Sequence, residues 1–354
     1  MKPITLAVAL FSLTTFALST RPAAADELSV GAYGALGYQV ARVIPAGGTG
    51  QTNNGFAINA LDLFLRGSSG KFSFLSEVLF DIDQGNEFAF DLDRVQVSYD
   101  HSDWLKVTVG RFHTSIGYYN TAYPHGGAIF LLPTARPAMV EQHDNASILP
   151  TSAVGMTVHG TFSLGTPSLS YDLDIANGRG RAADELTNGV DLNNSKMLNL
   201  RLRFERAGLI IGGNALVDWI PPRADLPEQP ETLREQIFGA HIAYVEHPWH
   251  LIAEGAVVQH IGATTYQTLT GLAEAGYTVG KFTPYARFEA THFPAGLDPF
   301  WAASFQQVRG SFDAVSTGLK WMANDSIALK AELTWNHADT DTAYRAATQI
   351  AFGF

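Results

Sequence analysis

Residues 326–335 read Ser326-Ile327-Ala328-Leu329-Lys330-Ala331-Glu332-Leu333-Thr334-Trp335. Ile327, Leu329, Ala331, Leu333 and Trp335 share one parity; Ser326, Ala328, Lys330, Glu332 and Thr334 share the other. A period of two is that of an extended strand, whose successive side chains point to opposite faces. One face is apolar along the whole segment, and the other carries full charges in mid-strand. In a soluble sandwich the charged face would be wet, so a single strand of this kind does not decide the fold.

Repetition does. Phe72, Phe74, Ser76, Val78, Phe80 and Ile82 oppose Lys71, Ser73, Glu77 and Asp81. Leu198, Leu200, Leu202 and Phe204 oppose Asn199, Arg201, Arg203 and Glu205. Tyr344, Ala346, Thr348, Ile350, Phe352 and Phe354 oppose Arg345, Ala347, Gln349 and Gly353. About sixteen candidate strands emerge, near 28–40, 55–66, 71–82, 91–100, 103–112, 151–161, 167–176, 197–206, 209–219, 236–246, 249–260, 269–280, 281–292, 311–322, 325–336 and 343–354. Tight turns at 68–70, 100–102, 206–208, 246–248, 280–281 and 323–325 alternate with longer connectors at 41–54, 83–90, 113–150, 177–196, 220–235, 261–268, 293–310 and 337–342. Sorting of short and long connectors to opposite ends is the mark of an all-β, antiparallel transmembrane barrel with long outer loops.

A barrel also accounts for the charges. In lipid every backbone N–H and C=O must be paired internally, so a sheet must close on itself. About sixteen strands enclose an interior too wide for wall side chains to fill. Water then enters, and lumen-facing charges are solvated at little cost. Trp104, Trp219, Trp249, Trp321 and Trp335 fall near strand ends, where an interfacial aromatic girdle belongs.

The N-terminus fits export. Lys2 precedes an apolar run, Ile4 to Leu18, followed by Ala23-Ala24-Ala25. This is the layout of a signal peptide over 1–25, with the barrel over 26–354. The run is short for a membrane anchor. The chain has no Cys, so it carries neither disulfides nor thiolate metal sites. It has 23 basic and 34 acidic residues, a net charge of −11, which argues against a nucleic-acid partner. The chain closes on Ile350-Ala351-Phe352-Gly353-Phe354, which resembles the terminal strand of outer-membrane porins.

The longest connector, 113–150, is the third outer loop. It and its approach read Gly110-Arg111-Phe112-His113-Thr114-Ser115-Ile116-Gly117-Tyr118-Tyr119-Asn120-Thr121-Ala122-Tyr123-Pro124-His125-Gly126-Gly127, with Arg136-Pro137 and Glu141 further on. This stretch resembles a segment of phosphate-selective-porin-like outer-membrane proteins, departing at Ser115, where the family usually has Pro. The likeness covers about forty residues; elsewhere it is one of architecture. It implies a channel narrowed by this loop, without establishing phosphate as the solute. His113, Tyr118, Tyr119, Asn120, Tyr123, His125 and Arg136 are the expected constriction residues, offering hydrogen bonds to a partly dehydrated solute. A loop laid over the mouth is the alternative to an inward fold.

Parity places further charges on the lumen face. The basic set is Arg94, Lys106, Arg201, Arg203, Arg287, Lys320, Lys330 and Arg345. The acidic set is Asp62, Glu77, Glu205, Glu254, Glu289 and Glu332. Arg201 and Arg203 form the start of a ladder that would guide anions. Cross-strand pairing would instead leave only a weak anion preference. Asp184, Glu185, Asp191, Glu228, Glu231 and Glu235 are expected in the fourth and fifth outer loops, as solvated charges or as ligands for divalent ions bridging lipopolysaccharide.

No catalytic or metal-binding spacing assembles. The histidines are scattered, and His241, His247, His250 and His260 read as wall residues. His143-Asp144 is only a neighbouring pair. The sequence thus points to a channel for small polar or charged solutes, needing no cofactor, bounded by outer-membrane lipid and lipopolysaccharide. A homotrimer is allowed by Ala32, Gly34, Ala35 and Gly37, whose small side chains would let subunits approach. The rivals are a non-conducting barrel serving as receptor, adhesin or scaffold for a periplasmic partner, a barrel enzyme, and a soluble β protein.

Overall fold

In the computed structural model the alternating segments pair into a sheet that has no free edge. It describes residues 27–82, 88–123, 127–141, 147–163, 165–181, 183, 189–191, 194–223, 229, 231–293, 296, 298–301 and 310–354. The strands are β1 (Glu27–Pro45), β2 (Gln51–Ser69), β3 (Phe72–Ile82), β4 (Phe88–Ser102), β5 (Leu105–His113), β6 (Ser152–Ser163), β7 (Ser168–Ala176) and β8 (Met197–Arg206). They continue with β9 (Leu209–Ile220), β10 (Leu233–Tyr244), β11 (Trp249–Ile261), β12 (Thr265–Tyr277), β13 (Phe282–His292), β14 (Phe312–Asn324), β15 (Ile327–Ala338) and β16 (Asp341–Gly353). Each pairs antiparallel with its sequence neighbours, and β1 pairs with β16 to close the barrel.

Register carries the alternation around the wall. Arg201 faces Asp172 on one neighbour and Asn214 on the other. Leu200, one residue earlier, lies between Leu173 and Ala215 on the outer face. Leu198, Leu200, Leu202 and Phe204 are all exposed outward, as a lipid-facing band requires. At the end of the barrel with short turns, rings pair across neighbouring strands: Phe72–Tyr99 at 5.0 Å, Phe162–Tyr171 at 5.9 Å, Trp249–Tyr277 at 4.7 Å and Phe282–Trp321 at 6.4 Å. Trp104 sits at this end too, while Trp219 and Trp335 lie at the other, so the five Trp divide between two belts. Leu200→Arg in mid-strand is expected to destabilise the lipid-embedded barrel by about 2–4 kcal/mol. Urea unfolding in bilayers checks this; a shift under about 1 kcal/mol, the value at the interface, would mean the outer face is not in hydrocarbon.

Three expected long connectors contract. Arg42 pairs with Thr52, Ile261 with Thr265 and His337 with Thr342, so only 46–50, 262–264 and 339–340 remain outside strands. At the rim both faces are wet, which erases the alternation while the backbone ladder runs on. Likewise β4 continues through the expected turn at 100–102 by a bulge between Asp100 and Ser102. The small residues of β1 do not form an open outer stripe: Ala35 is buried beside Ile129, and a Cβ on Gly34 would meet the Phe352 ring at 2.4 Å.

Candidate functional site

The third long connector folds inward and crosses the lumen. After β5 the chain makes one helical turn, α1 (Tyr119–Ala122), and later a 3-10 turn at Ala138–Val140. Inside the barrel its backbone has lost water, so each polar group needs a protein partner. The lumen-facing charges of the wall supply them.

On the first limb, Ser115 N–H donates to Asp174 at 2.7 Å, and Gly117 N–H to Asn214 at 3.3 Å. Tyr118 and Tyr119 N–H both donate to Glu254 Oε2, at 2.9 and 2.8 Å. Arg201 donates to Gly117 O at 3.0 Å and to Thr121 Oγ1 at 2.6 Å, and pairs with Asp172 at 2.7 Å. Gly117 has φ 63°, and a Cβ there would come within 1.8 Å of Glu254 Oε1, so no side chain fits between loop and wall.

The second limb meets the opposite wall. Lys320 donates to Ile129 O, and Lys330 to Ala128 O at 2.6 Å and Pro133 O at 2.8 Å. Glu332 accepts from Thr134 N–H at 3.0 Å, and Gln349 donates to Thr134 O at 2.9 Å. Arg287 donates to Ala135 O at 3.0 Å, and Glu289 accepts from Ala138 N–H at 2.7 Å.

Apolar contacts fill the space between. Ile116, Tyr119, Met139, Val140, Ile148 and Leu149 pack against Met197, Ile220, Ile237, Ile252 and Leu272 from the wall. The expectation of a water-filled interior is therefore corrected along β5–β12. The loop brings the apolar surface and the backbone partners that make buried wall charges tolerable there.

The expected constriction residues divide by position. His113 pairs with Asp93 at 2.8 Å at the loop's root. Tyr118 and Tyr123 stand with rings 6.2 Å apart, Tyr118 against His241 at 5.9 Å and Tyr123 against His250 at 6.5 Å. Burial raises both hydroxyls above the usual phenol range, so they remain neutral hydrogen-bonding groups. Tyr119 and Asn120 are 0% and 1% exposed and belong to the loop's own packing. Asn120 Nδ2 donates to Thr114 O at 3.0 Å and to Thr151 O at 2.9 Å. Arg136 is also buried and ties the limbs together, donating to Tyr123 O at 2.9 Å and Val140 O at 3.1 Å. His125, His143 and Asp144 lie outside the described residues.

Among the expected lumen charges, Arg201, Arg287, Lys320, Lys330, Glu254, Glu289 and Glu332 bind the loop. Arg94 pairs with Glu77, Lys106 with Asp100 at 3.1 Å, and Arg203 approaches Glu205 at 4.0 Å. Arg345 pairs with Glu332 at 2.6 Å, and Asp62 is fully buried. The arginine ladder is thus broken at its first rung, because Arg201 is engaged by loop and wall.

One acidic residue assigned to an outer loop belongs elsewhere. Glu235 lies in β10, fully buried, and joins a network that sequence reading missed. Arg179 reaches it at 2.9 Å, donates to Ser147 O at 3.4 Å and to Ile148 O, and lies over Phe300 and Trp301, each ring centroid 5.4 Å away. His260 sits between Glu235 at 3.2 Å and Asp298 at 2.7 Å. Three outer loops are fastened together here. Asp191 contacts Lys196, Glu231 accepts from Ala263 N–H at 2.8 Å, and Asp184, Glu185 and Glu228 lie outside the described residues. The missed wall acids Asp172 and Asp174 share a parity on β7, a signal that could have found them.

A closed antiparallel barrel with a loop docked across its lumen defines a class of architecture, that of porin-type barrels. Neither a family model nor a curated protein matches the chain. Solved structures do. An anion-selective porin from Comamonas acidovorans has TM-score 0.62 at 13% identity, over 92% of this chain and 100% of that one. OmpF of Salmonella typhi, in complex with daunomycin, has TM-score 0.60 at 11% identity, over 93% and 98%. OmpT, an outer membrane protein of Vibrio cholerae, has TM-score 0.57 at 10% identity, over 92% and 98%. The chain shares the fold of these proteins.

Proposed function

We propose that the chain is an outer-membrane porin through which small polar or charged solutes diffuse passively, past a constriction formed by the loop 113–150. The observation that carries this reading is the docking of that loop: it is fastened to the wall along β7–β16, reaches β1 at Tyr33 and Ala35, and leaves open space at the end with short turns, lined by Arg66, Ser73, Gln96 and Lys106 of β2–β5. The end with short turns then faces the periplasm, and the long loops face outward among lipopolysaccharide. A homotrimer is the assembly we infer with it, by analogy of fold.

The preference for anions is weak in this reading. In two pairs the cation is the more exposed member, Arg94 at 16% and Arg345 at 26% against 1% for Glu77 and for Glu332. In the other two the acid is, Asp100 at 49% against 38% for Lys106 and Glu205 at 44% against 29% for Arg203, so the bias toward anions comes from the first two pairs alone. The likeness of the 110–127 segment to phosphate-selective-porin-like proteins agrees in sign. A second reading, a non-conducting barrel serving as receptor or scaffold, is favoured by one observation: the apolar packing of the loop along β5–β12.

Planar-bilayer recording separates them. Steady open currents are expected, with a reversal potential of anion sign under a KCl gradient. Changing Arg94, Lys106, Arg203 and Arg345 together to Gln is expected to reverse that sign. Stable insertion without current would exclude the channel and leave the scaffold.

A further inference from the structure

The loop leaves a recess against β1–β5 at the end with short turns. Its volume is about 450 Å³. Gln96 and Ser98 give it polar groups, Leu75 an apolar patch, Arg66 and Lys106 its cations, and Glu27 an acid at the rim. Lys106 shares its charge with Asp100 at 3.1 Å. Arg66 has no carboxylate within ion-pair distance among the described residues. Its guanidinium instead lies 4.6 Å above the Phe64 ring. Phe64 in turn stands 5.1 Å from Tyr33, and Tyr33 stands 5.3 Å from Phe130 of the constriction loop, a ring that is 47% exposed.

These features favour one kind of ligand. A guanidinium is planar and weakly hydrated, and one laid on a ring still offers its N–H edge to a carboxylate. The adjoining ledge of Phe64, Tyr33 and Phe130 offers aromatic surface to whatever that carboxylate is attached to. A compact, strongly hydrated anion such as phosphate gains nothing from the ledge, and Lys106 is already half engaged by Asp100. We propose that this recess binds small aromatic carboxylates, the carboxylate at the edge of Arg66 with Lys106 behind it, the ring against the aromatic ledge. The proposal rests on the porin reading only for the ligand's route to the recess.

The test is isothermal titration of the refolded full-length protein in detergent with benzoate, acetate and inorganic phosphate as probes. Saturable one-to-one binding of benzoate is expected, with acetate weaker by about tenfold, the factor that 1.4 kcal/mol of ring contact supplies. Arg66→Gln should abolish benzoate binding. Phe64→Leu should weaken benzoate several-fold and leave acetate unchanged. Arg66→Lys, which keeps the charge without the flat cation, should also favour acetate relative to benzoate. Unboiled gel mobility verifies that each variant remains a folded barrel. Absent benzoate saturation, equal binding by Arg66→Gln, or phosphate binding as tightly as benzoate would each overturn the proposal. Binding in detergent needs no current, so a silent bilayer with intact benzoate binding would sink the channel and keep the site, and open currents without binding would do the reverse.

Discussion

Glu254→Leu is expected to raise the single-channel conductance several-fold and to make the open current noisy. Glu254 Oε2 accepts the N–H groups of both Tyr118 and Tyr119, and Oε1 lies where a Cβ on Gly117 would fall. Leucine fills similar space but accepts nothing, so two backbone donors are left in a dry pocket. Hydrogen bonds to a charged group contribute about 1.5–3 kcal/mol each, so docking of the first limb is weakened by about 3–6 kcal/mol. Arg201 still holds Gly117 O and Thr121, so the limb moves locally and the lumen widens where α1 stood. Glu254→Gln keeps an acceptor and should restore near-native conductance. Gly117→Ala should reproduce the leucine phenotype from the other side of the contact, because the left-handed backbone and the carboxylate both exclude a methyl group. Unchanged conductance in both Glu254→Leu and Gly117→Ala would show that this limb does not limit the pore.

Arg179→Met is expected to loosen three loops at once and to leave the barrel wall intact. The guanidinium pairs with Glu235, caps the carbonyls of Ser147 and Ile148, and lies over Phe300 and Trp301. Its removal leaves Glu235, which is 0% exposed, facing His260 alone. Breaking a buried pair from one side costs about 3–5 kcal/mol, since the remaining charge stays buried. Hydrogen exchange is expected to accelerate together at 147–149, 177–181 and 298–301, while the strands keep their protection. Acceleration confined to the neighbours of residue 179 would mean that the loops are held separately.

The wall was legible from sequence and the filling of the lumen was not, for one physical reason. An outward Leu200 or Leu329 has the same partner, lipid, at every position, so alternation alone reveals it. An inward Lys330 or Glu254 has a partner chosen by the loop's path, and those partners lie 197–202 and 135–136 residues away. Parity therefore identified which charges face inward while giving no sign that the loop engages them. Arg179 carried no alternation at all, sitting in a connector after Asn177-Gly178. Glu235 reads as part of such a connector because the polar Arg234 and Gln236 beside it mask the start of β10. At the rim, Thr52 and Asn53 show how a strand can continue after its apolar face has ended. The motif at 110–127 was read for its polar side chains, yet Asn120 hydrogen-bonds loop backbone on both sides of itself, and its role is to shape the path.

The loop's anchors on the far wall set an order of events during assembly. Thr134 reaches Gln349 across 215 residues of chain and Glu332 across 198. Contacts of such separation form late, because the intervening chain must first be ordered. The second limb's docking surface, begun by Arg287, Glu289 and Lys320, stays incomplete until the last hairpin, β15 with β16, has joined β1. A barrel caught before that step is a wide bore, and the same strand pairing that seals its wall completes the platform on which its own restriction settles.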